Sequence, residues 1–363
     1  MITADIAIIG AGMAGASLAA AIGNAARVVL IEAEEQPGYH ATGRSAAFWS
    51  ETYGGPAIQP LTTASRGFLE GNGFLRPRGA LTIAEAEDGI LLDDFLEEFA
   101  GTSVPLDRIG RSQLEATLPR LKSHWTSGVS EPSCQDIEVA ALHARFLADM
   151  RTAGGRLLTG AEVLSLRRQD GRWVMATRAG EVSASVVVNA AGAWASVLAA
   201  MAGAATIEIT PLRRTVLQLA VDPPAPSNLP LTMDVRGSFY IKSENGGRLW
   251  LSPHDEVPSP PCDAAPEELD IAIAIDRFER AFDWRIVKLE HAWAGLRSFA
   301  PDRAPVYGFD PTRPGFFWFA GQGGFGIQTA PAAAMIGAAL LLDRALPGKV
   351  SAIDVPRYSP ARF

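Results

Sequence analysis

Ala4-Asp5-Ile6-Ala7-Ile8-Ile9 is a short apolar run of β-forming type that stops at Gly10-Ala11-Gly12-Met13-Ala14-Gly15. The residues beyond it, Ala16-Ser17-Leu18-Ala19-Ala20-Ala21-Ile22, suit a helix, and a second apolar run, Val28-Val29-Leu30-Ile31, closes on Glu32. Run lengths and flanking residues predict strand, turn, helix and strand in succession.

The pattern then changes character. Over residues 76–135, Pro77, Pro105, Pro119 and Pro132 punctuate short strands and an acidic helix at 85–99, with no β-α-β rhythm. A helix is expected over 139–153, with Leu142, Phe146, Leu147 and Met150 on one face. Residues 156–159 and 161–163 read as strand, and a meander follows with turns at Asp170-Gly171 and Ala179-Gly180. It ends in Val186-Val187-Val188-Asn189-Ala190-Ala191-Gly192-Ala193-Trp194, where small residues leave bare backbone facing a neighbour. Strand-like stretches at 207–221, 238–252 and 287–299 are separated by proline-rich loops at 222–230 and 253–266. Last come a buried strand, Phe316-Phe317-Trp318-Phe319-Ala320, the turn Gly321-Gln322-Gly323-Gly324-Phe325-Gly326, and an alanine-rich helix expected to open at Gly326-Ile327-Gln328.

Composition narrows the choices. With 363 residues the chain is long enough for two domains. A content of 48% hydrophobic and 20% charged residues excludes a disordered chain. The net charge of -8 argues against nucleic acid or an anionic membrane surface as the main partner. Cys134 and Cys262 make no disulfide framework or zinc motif, and His40, His124, His143, His254 and His291 lack metal-ligand spacing. No metal is expected, and these histidines read as surface or core residues. The first apolar run has no basic region before it and is broken by glycines, so it reads as a strand and not a signal peptide. Residues 330–346 contain Pro331, Asp343 and Arg344 and are too short to span a bilayer, so a buried helix and no stable membrane insertion are expected. Cytoplasm is the expected compartment.

The chemistry begins at the glycines. A strand ending in G-x-G-x-x-G, a helix, a second strand and an acid about 20 residues on form the dinucleotide-binding fingerprint. Gly10 permits the tight turn, Gly12 a close approach to pyrophosphate, and Gly15 close helix–strand packing. The pyrophosphate then faces free N–H groups at the positive end of the helix. Glu32 accepts from a ribose diol and repels a 2′-phosphate, which disfavours NADP. A second glycine-and-serine loop, Pro37-Gly38-Tyr39-His40-Ala41-Thr42-Gly43-Arg44-Ser45-Ala46-Ala47, with a helix start at its end, lies outside an NAD fingerprint. It favours a larger cofactor, FAD.

Together with Asn189-Ala190-Ala191-Gly192, Trp293-Ala294-Gly295-Leu296-Arg297 and Gly321 to Gln328, these stretches form an ordered set. The set resembles the D-amino-acid oxidase group of flavoproteins, which includes glycine and sarcosine oxidases. Residues 37–47, 290–299 and 321–329 are most similar to its D-arginine dehydrogenase branch. The resemblance runs nearly end to end.

It implies an α/β fold: a Rossmann-like FAD-binding domain (1–75, 140–211 and 298–363) and an α+β substrate-binding domain with a mostly antiparallel sheet (76–139 and 212–297). It implies non-covalent FAD, since no cysteine or histidine stands at an attachment position of the group. The residues implied against FAD are Gly10, Ala11, Gly12, Met13, Ala14, Gly15, Glu32, Ala33, Thr42, Gly43, Arg44, Ser45, Ala46, Ala47, Val163, Ala190, Ala191, Gly192, Trp194, Gly295, Arg297, Gly323, Gly324, Gly326, Ile327 and Gln328.

The implied chemistry is hydride removal from the Cα of a small-molecule amino acid to the flavin, giving an imino acid that hydrolyses to a 2-oxo acid and ammonia. Oxygen or a quinone-like molecule accepts the electrons. Arg297 matches the arginine that clamps the substrate carboxylate, where a planar fork suits a bidentate hold. Arg214 matches a second arginine, with Arg213 as the alternative. Tyr240 matches a tyrosine donating to the same carboxylate, and Tyr53 a tyrosine of the lid region. Two departures bear on the substrate. The D-arginine branch has an acid where this chain has Ala80, and a histidine where it has Phe48. Both changes, with Phe239 nearby, favour a D-amino acid with a neutral or apolar side chain. Glu85, Glu87 and Asp88 could replace the acid only if their loop folds back. A secondary amine of the sarcosine type and a 2-hydroxy acid are the alternative substrates. A flavin-bound assembly or sensor protein is the non-enzymatic alternative.

Overall fold

The computed structural model describes residues 1–363, arranged around two large sheets and one small one. In the first sheet Ile2–Ile9 is central, with Gly180–Asn189 parallel on one side and Val28–Ile31 parallel on the other. Arg156–Leu158 extends the parallel set beyond Val28–Ile31, and Phe316–Ala320 joins the C-terminal end of Gly180–Asn189. The meander Val163–Gln169 and Arg172–Thr177 pairs antiparallel against the other end of Gly180–Asn189.

Both faces of this sheet are covered, which is why its strands are continuously apolar rather than alternating. Ile6, Ile8, Val28 and Leu30 pack into a core shared with helices Met13–Ile22, Val139–Thr152 and Ala330–Leu341. Ala7, Ile9, Val29 and Ile31 pack into a second core on the opposite face, with Leu198 and Ala199 of helix Ala195–Ala202.

The glycine turn is fixed by contact as much as by conformation. Gly10 has φ +103°, and a Cβ there would lie 2.3 Å from the Ala190 carbonyl oxygen. The strand ends at Ile9 and Asn189 can therefore approach only through bare backbone. A Cβ on Gly15 would lie 1.9 Å from the Gly10 carbonyl oxygen, so helix Met13–Ile22 seats on the turn only without a side chain.

The second sheet is built on one long antiparallel pair, Thr210–Asp222 with Arg285–Phe299, in register from Thr210 opposite Phe299 to Asp222 opposite Arg285. From Thr210–Asp222 it continues through Arg248–Ser252, Tyr240–Glu244, Leu231–Asp234, Ala80–Glu85, Trp125–Glu131 and Asp107–Gly110. Its pairs are antiparallel except Leu231–Asp234 against Ala80–Glu85. Helix Glu268–Ala281 covers one face with Ala274, Phe278 and Ala281 against Leu217, Leu219, Leu249 and Leu251. The fold is α/β, with the Rossmann-like sheet and the mostly antiparallel sheet side by side.

Four local expectations change. The loop ending at Ala47 leads into a two-residue strand, Phe48–Trp49, paired with Gln135–Ile137, and not into a helix. The strand expected over 161–163 starts only at Val163, because the Ala161 N–H is already bonded to the Glu32 carbonyl. Residues 238–252 form two strands, because Gly246 and Gly247 both adopt positive φ. The last helix starts at Ala330, with Pro331 in its first turn, so Gly326-Ile327-Gln328 lies in the preceding turn.

Gly15→Ala is expected to lower unfolding free energy by about 1–3 kcal/mol, the usual penalty of overpacking. Urea unfolding of the two proteins measures it, and equal midpoints at equal slope would refute the close helix–turn contact.

Candidate functional site

Between the two large sheets lies a cavity of ≈ 650 Å³, lined from both. At one end its wall is the glycine turn (Gly10, Gly12, Met13, Ala14) and the end of the second strand (Glu32, Ala33). Val163, Ala190, Ala191, Gly192 and Trp194 complete that end. The middle is bounded by Thr42, Arg44, Ser45, Ala46 and Gly295, and the far end by Gly323, Gly324, Gly326, Ile327, Arg297, Arg214 and Tyr240.

Other residues in the expected set stand behind the wall. Ala11 is buried, donating its N–H to Glu32 Oε2 at 2.8 Å and accepting from His143 Nε2 at 2.9 Å. Gly15 backs the turn, and Gly43 closes its loop by an N–H bond to the Gly38 carbonyl at 2.8 Å. The Ala47 N–H is held by Ser45 Oγ at 3.1 Å. Gln328 is 2% exposed and its amide is spent on the Ser50 N–H, the Tyr53 carbonyl and Thr62 Oγ1. It holds the segment carrying Tyr53 rather than touching the cavity.

The first end suits an extended dinucleotide. The positive end of helix Met13–Ile22 opens there with no acidic side chain in its first turn. Thr42 Oγ1 accepts from the Met13 N–H at 2.9 Å, tying the second loop to the turn. Glu32 accepts from the Ala11 and Glu34 N–H groups at 2.8 and 3.1 Å. Its carboxylate still lines the cavity with lone pairs to spare for a ribose diol. Arg44 donates to the Ala264 and Ala294 carbonyls, and Trp293 donates to the Arg44 carbonyl, which fixes the middle of the wall.

The far end is cationic, and strand register makes it so. Leu212 pairs with Arg297 and Arg214 with Gly295, so Arg214 and Arg297 share one face of the ladder. Arg213 takes the opposite face, as successive strand residues must, and is consumed by Glu267 and Asp270. Of the two neighbouring arginines, Arg214 is the one at the cavity. It donates to the Asp255 carbonyl at 2.6 Å and to Glu256 at 3.2 Å, while its Nη1 is buried without a partner. The Tyr240 hydroxyl, 2% exposed as a residue, is likewise buried without a partner. Arg297 Nη1 donates to the Tyr53 hydroxyl, and both sit over Gly324, where a Cβ would lie 2.6 Å from that hydroxyl.

Burial, then the charge of Arg297, pushes Arg214 down to about 10, so Arg214 stays charged near neutral pH. Burial pushes the Tyr240 phenol up, keeping it a proton donor. His254 was not among the residues singled out from sequence, and a single Ser-Pro-His loop offers no signal for it. Its ring lies 5.8 Å from that of Tyr240, and Nδ1 donates to the Gly237 carbonyl at 2.7 Å. Burial, with Arg214 and Arg297 beside it, pushes its imidazole down to about 3. His40, read from the sequence as a surface or core residue, lines the cavity and packs on Trp194 at 4.7 Å.

Phe48, Ala80, Leu231 and Tyr240 form one apolar cluster beside the arginines. Phe239, expected with them, immediately precedes strand Tyr240–Glu244, points away from the cluster and packs on Trp125 and Phe282. Asp88 is engaged by Arg236, with Glu87 3.8 Å from the same guanidinium, and Glu85 lies 3.9 Å from His124. None of the three acids turns towards the cluster.

The unfolded chain protonates His254 near 6.5, whereas the folded protein holds off protonation to about 3. Stability should therefore rise with pH across that window and be lost on acidification, by at most about 1.4 kcal/mol per pH unit. His254→Asn is expected to flatten that part of the profile in chemical unfolding between pH 4 and 7. An unchanged slope would show that His254 titrates normally.

Residues 5–340 match the model of the DAO family, described as FAD dependent oxidoreductase. Glycine oxidase of Geobacillus kaustophilus (strain HTA426) is 24% identical over 382 residues, spanning 99% of this chain and 97% of the relative. The crystal structure of glycine oxidase from Geobacillus kaustophilus superposes with a TM-score of 0.86 at 23% identity, covering 100% of both chains. That of L-proline dehydrogenase from P. horikoshii gives 0.83 at 21% identity, covering 96% of both. The dinucleotide-shaped wall, the apposed sheets and the length of the match agree: this chain belongs to the DAO family of FAD-dependent oxidoreductases.

Proposed function

We propose that the protein oxidises the Cα–N bond of a small amino acid, with Arg297, Arg214 and Tyr240 holding its carboxylate. The observation that carries this reading is the pair of buried, unpartnered donors, Arg214 Nη1 and the Tyr240 hydroxyl, at the cavity end where Arg297 stands. A buried donor without a partner costs about 1–3 kcal/mol, which a ligand oxygen would recover. A carboxylate satisfies two cations and a phenol at once.

When bound along the dinucleotide wall, FAD would supply the hydride-accepting chemistry. The protein's part is orientation. Arg297 and Arg214 fix the carboxylate, Tyr240 donates to it, and Tyr53 braces Arg297, so that Cα is presented along one direction. Two fixed positive charges beside the substrate favour the neutral amine, whose lone pair assists departure of the hydride. Loss of that hydride gives an imino acid, which water converts to a 2-oxo acid and ammonia.

The side chain of the substrate would face the cluster of Phe48, Ala80 and Leu231, from which Glu85, Glu87 and Asp88 turn away and beside which the Glu131 carboxylate is already committed to Ser50, Glu51 and Thr52. A cationic side chain there would lose its hydration without gaining a counter-charge. This supports a neutral or apolar side chain. The resemblance of residues 37–47, 290–299 and 321–329 to the D-arginine dehydrogenase branch supports D configuration. A glycine-type substrate is the second reading, favoured by the aromatic packing of Phe48 on Tyr53 at 5.0 Å and on Tyr240 at 6.2 Å beside the arginines.

Anaerobic bleaching of the flavin by paired D- and L-amino acids, glycine and sarcosine tests the proposal. D-Leucine, D-methionine or D-phenylalanine is expected to give higher kcat/KM than D-arginine or D-lysine, and a clear preference for D-arginine would overturn the apolar pocket. Arg297→Met should keep FAD bound but lower kcat/KM roughly ten- to hundred-fold, as loss of a charge-assisted bond of about 1.5–3 kcal/mol requires. Undiminished reduction at sub-saturating substrate would remove Arg297 from the clamp.

A further inference from the structure

Glu131 ends the strand Trp125–Glu131 in the antiparallel sheet and is 4% exposed. It does not line the cavity. Its carboxylate collects three donors from the short segment that follows strand Phe48–Trp49: Ser50 Oγ at 2.9 Å, the Glu51 N–H at 2.7 Å and Thr52 Oγ1 at 2.6 Å. The next residue is Tyr53, whose hydroxyl meets Arg297. Gly54 and Gly55 follow with φ +101° and +74°, so the backbone just after Tyr53 is of the most permissive kind. Tyr53 is therefore placed from the upstream side, by Glu131 on one flank and Gln328 on the other.

We infer that Glu131 is a positioning residue for the anion clamp, acting through Ser50–Thr52 and Tyr53 on Arg297. The inference rests on the clamp reading above. It follows from the donor arrangement that a glutamine would be tolerated. Its amide oxygen can take the Glu51 N–H while its NH₂ donates to the Ser50 and Thr52 hydroxyls, which rotate to accept. Alanine removes the acceptor shared by all three, leaving the Ser50 and Thr52 hydroxyls only each other at 3.2 Å, and the Glu51 N–H cannot adapt.

The test uses holoenzyme and benzoate, a carboxylate without an amino group, titrated by its perturbation of the flavin spectrum. Glu131→Ala is expected to raise the benzoate Kd and the substrate KM together by about tenfold, with a much smaller change in kcat and FAD retained. Glu131→Gln should stay close to the parent in both. Combined with Tyr53→Phe, Glu131→Ala should add little, because both act on one contact. Full additivity, or an unchanged Kd in Glu131→Ala, would overturn the inference. Should Glu131→Ala not fold, Thr52→Val removes the shortest of the three bonds and must raise the Kd in the same direction, an unchanged Kd again overturning it. Arg297→Met separates the two levels. If it leaves benzoate binding intact, the clamp itself fails; if it abolishes binding while Glu131→Ala does not weaken it, the positioning role alone fails.

Discussion

Two guanidinium groups of like charge are held on one face of the Thr210–Asp222 and Arg285–Phe299 ladder, and the cavity's far end is arranged around their repulsion. Removing such charges from water is costly unless partners replace the lost hydration. Arg214 is compensated on one side only, by the Asp255 carbonyl and Glu256, and Arg297 faces a neutral phenol. The same field, with burial, keeps His254 uncharged. An anion would complete the charge balance, which is the physical ground for proposing that a carboxylate is held there.

The opposite end of the cavity works by other means. There the wall is backbone and small side chains: the glycine turn, Ala190-Ala191-Gly192 and the helix dipole. Close approach matters more than charge, and the closeness is bought by two missing Cβ atoms, at Gly10 and Gly15. The two ends meet at Arg44 and Gly295, where a Cβ on the glycine would lie 3.3 Å from Arg44 Cβ. One sheet thus supplies the dinucleotide wall and the other the charged one, and the cavity exists only where they are apposed.

Much of this was legible in the chain. The strand–turn–helix–strand unit, the acid at its end and the buried final strand follow from patterns that local sterics and burial impose over a few residues, and the structure repeats them. The apposition of Ala80 with Phe48 could be anticipated only through resemblance, and Phe239 was misplaced because the residue just before Tyr240 points away from the cluster that Tyr240 joins. The choice between Arg213 and Arg214 is of the same kind: two adjacent identical residues carry no local mark of direction, and register against Arg285–Phe299 assigns them.

What the amino-acid sequence by itself determined is the apparatus made of contiguous residues: the glycine turn with its helix, Glu32 at the end of the second strand, and the small residues at 190–192. These depend on short-range geometry that any fold must respect. Tertiary structure alone decided the rest. Glu131 lies 78 residues from Tyr53 in sequence, His254 lies 14 beyond Tyr240, and Gln328 is far from the segment it binds. Their roles arise because hydrogen-bond donors and charges left over by local structure had to find partners, and only the tertiary fold brought those partners within reach.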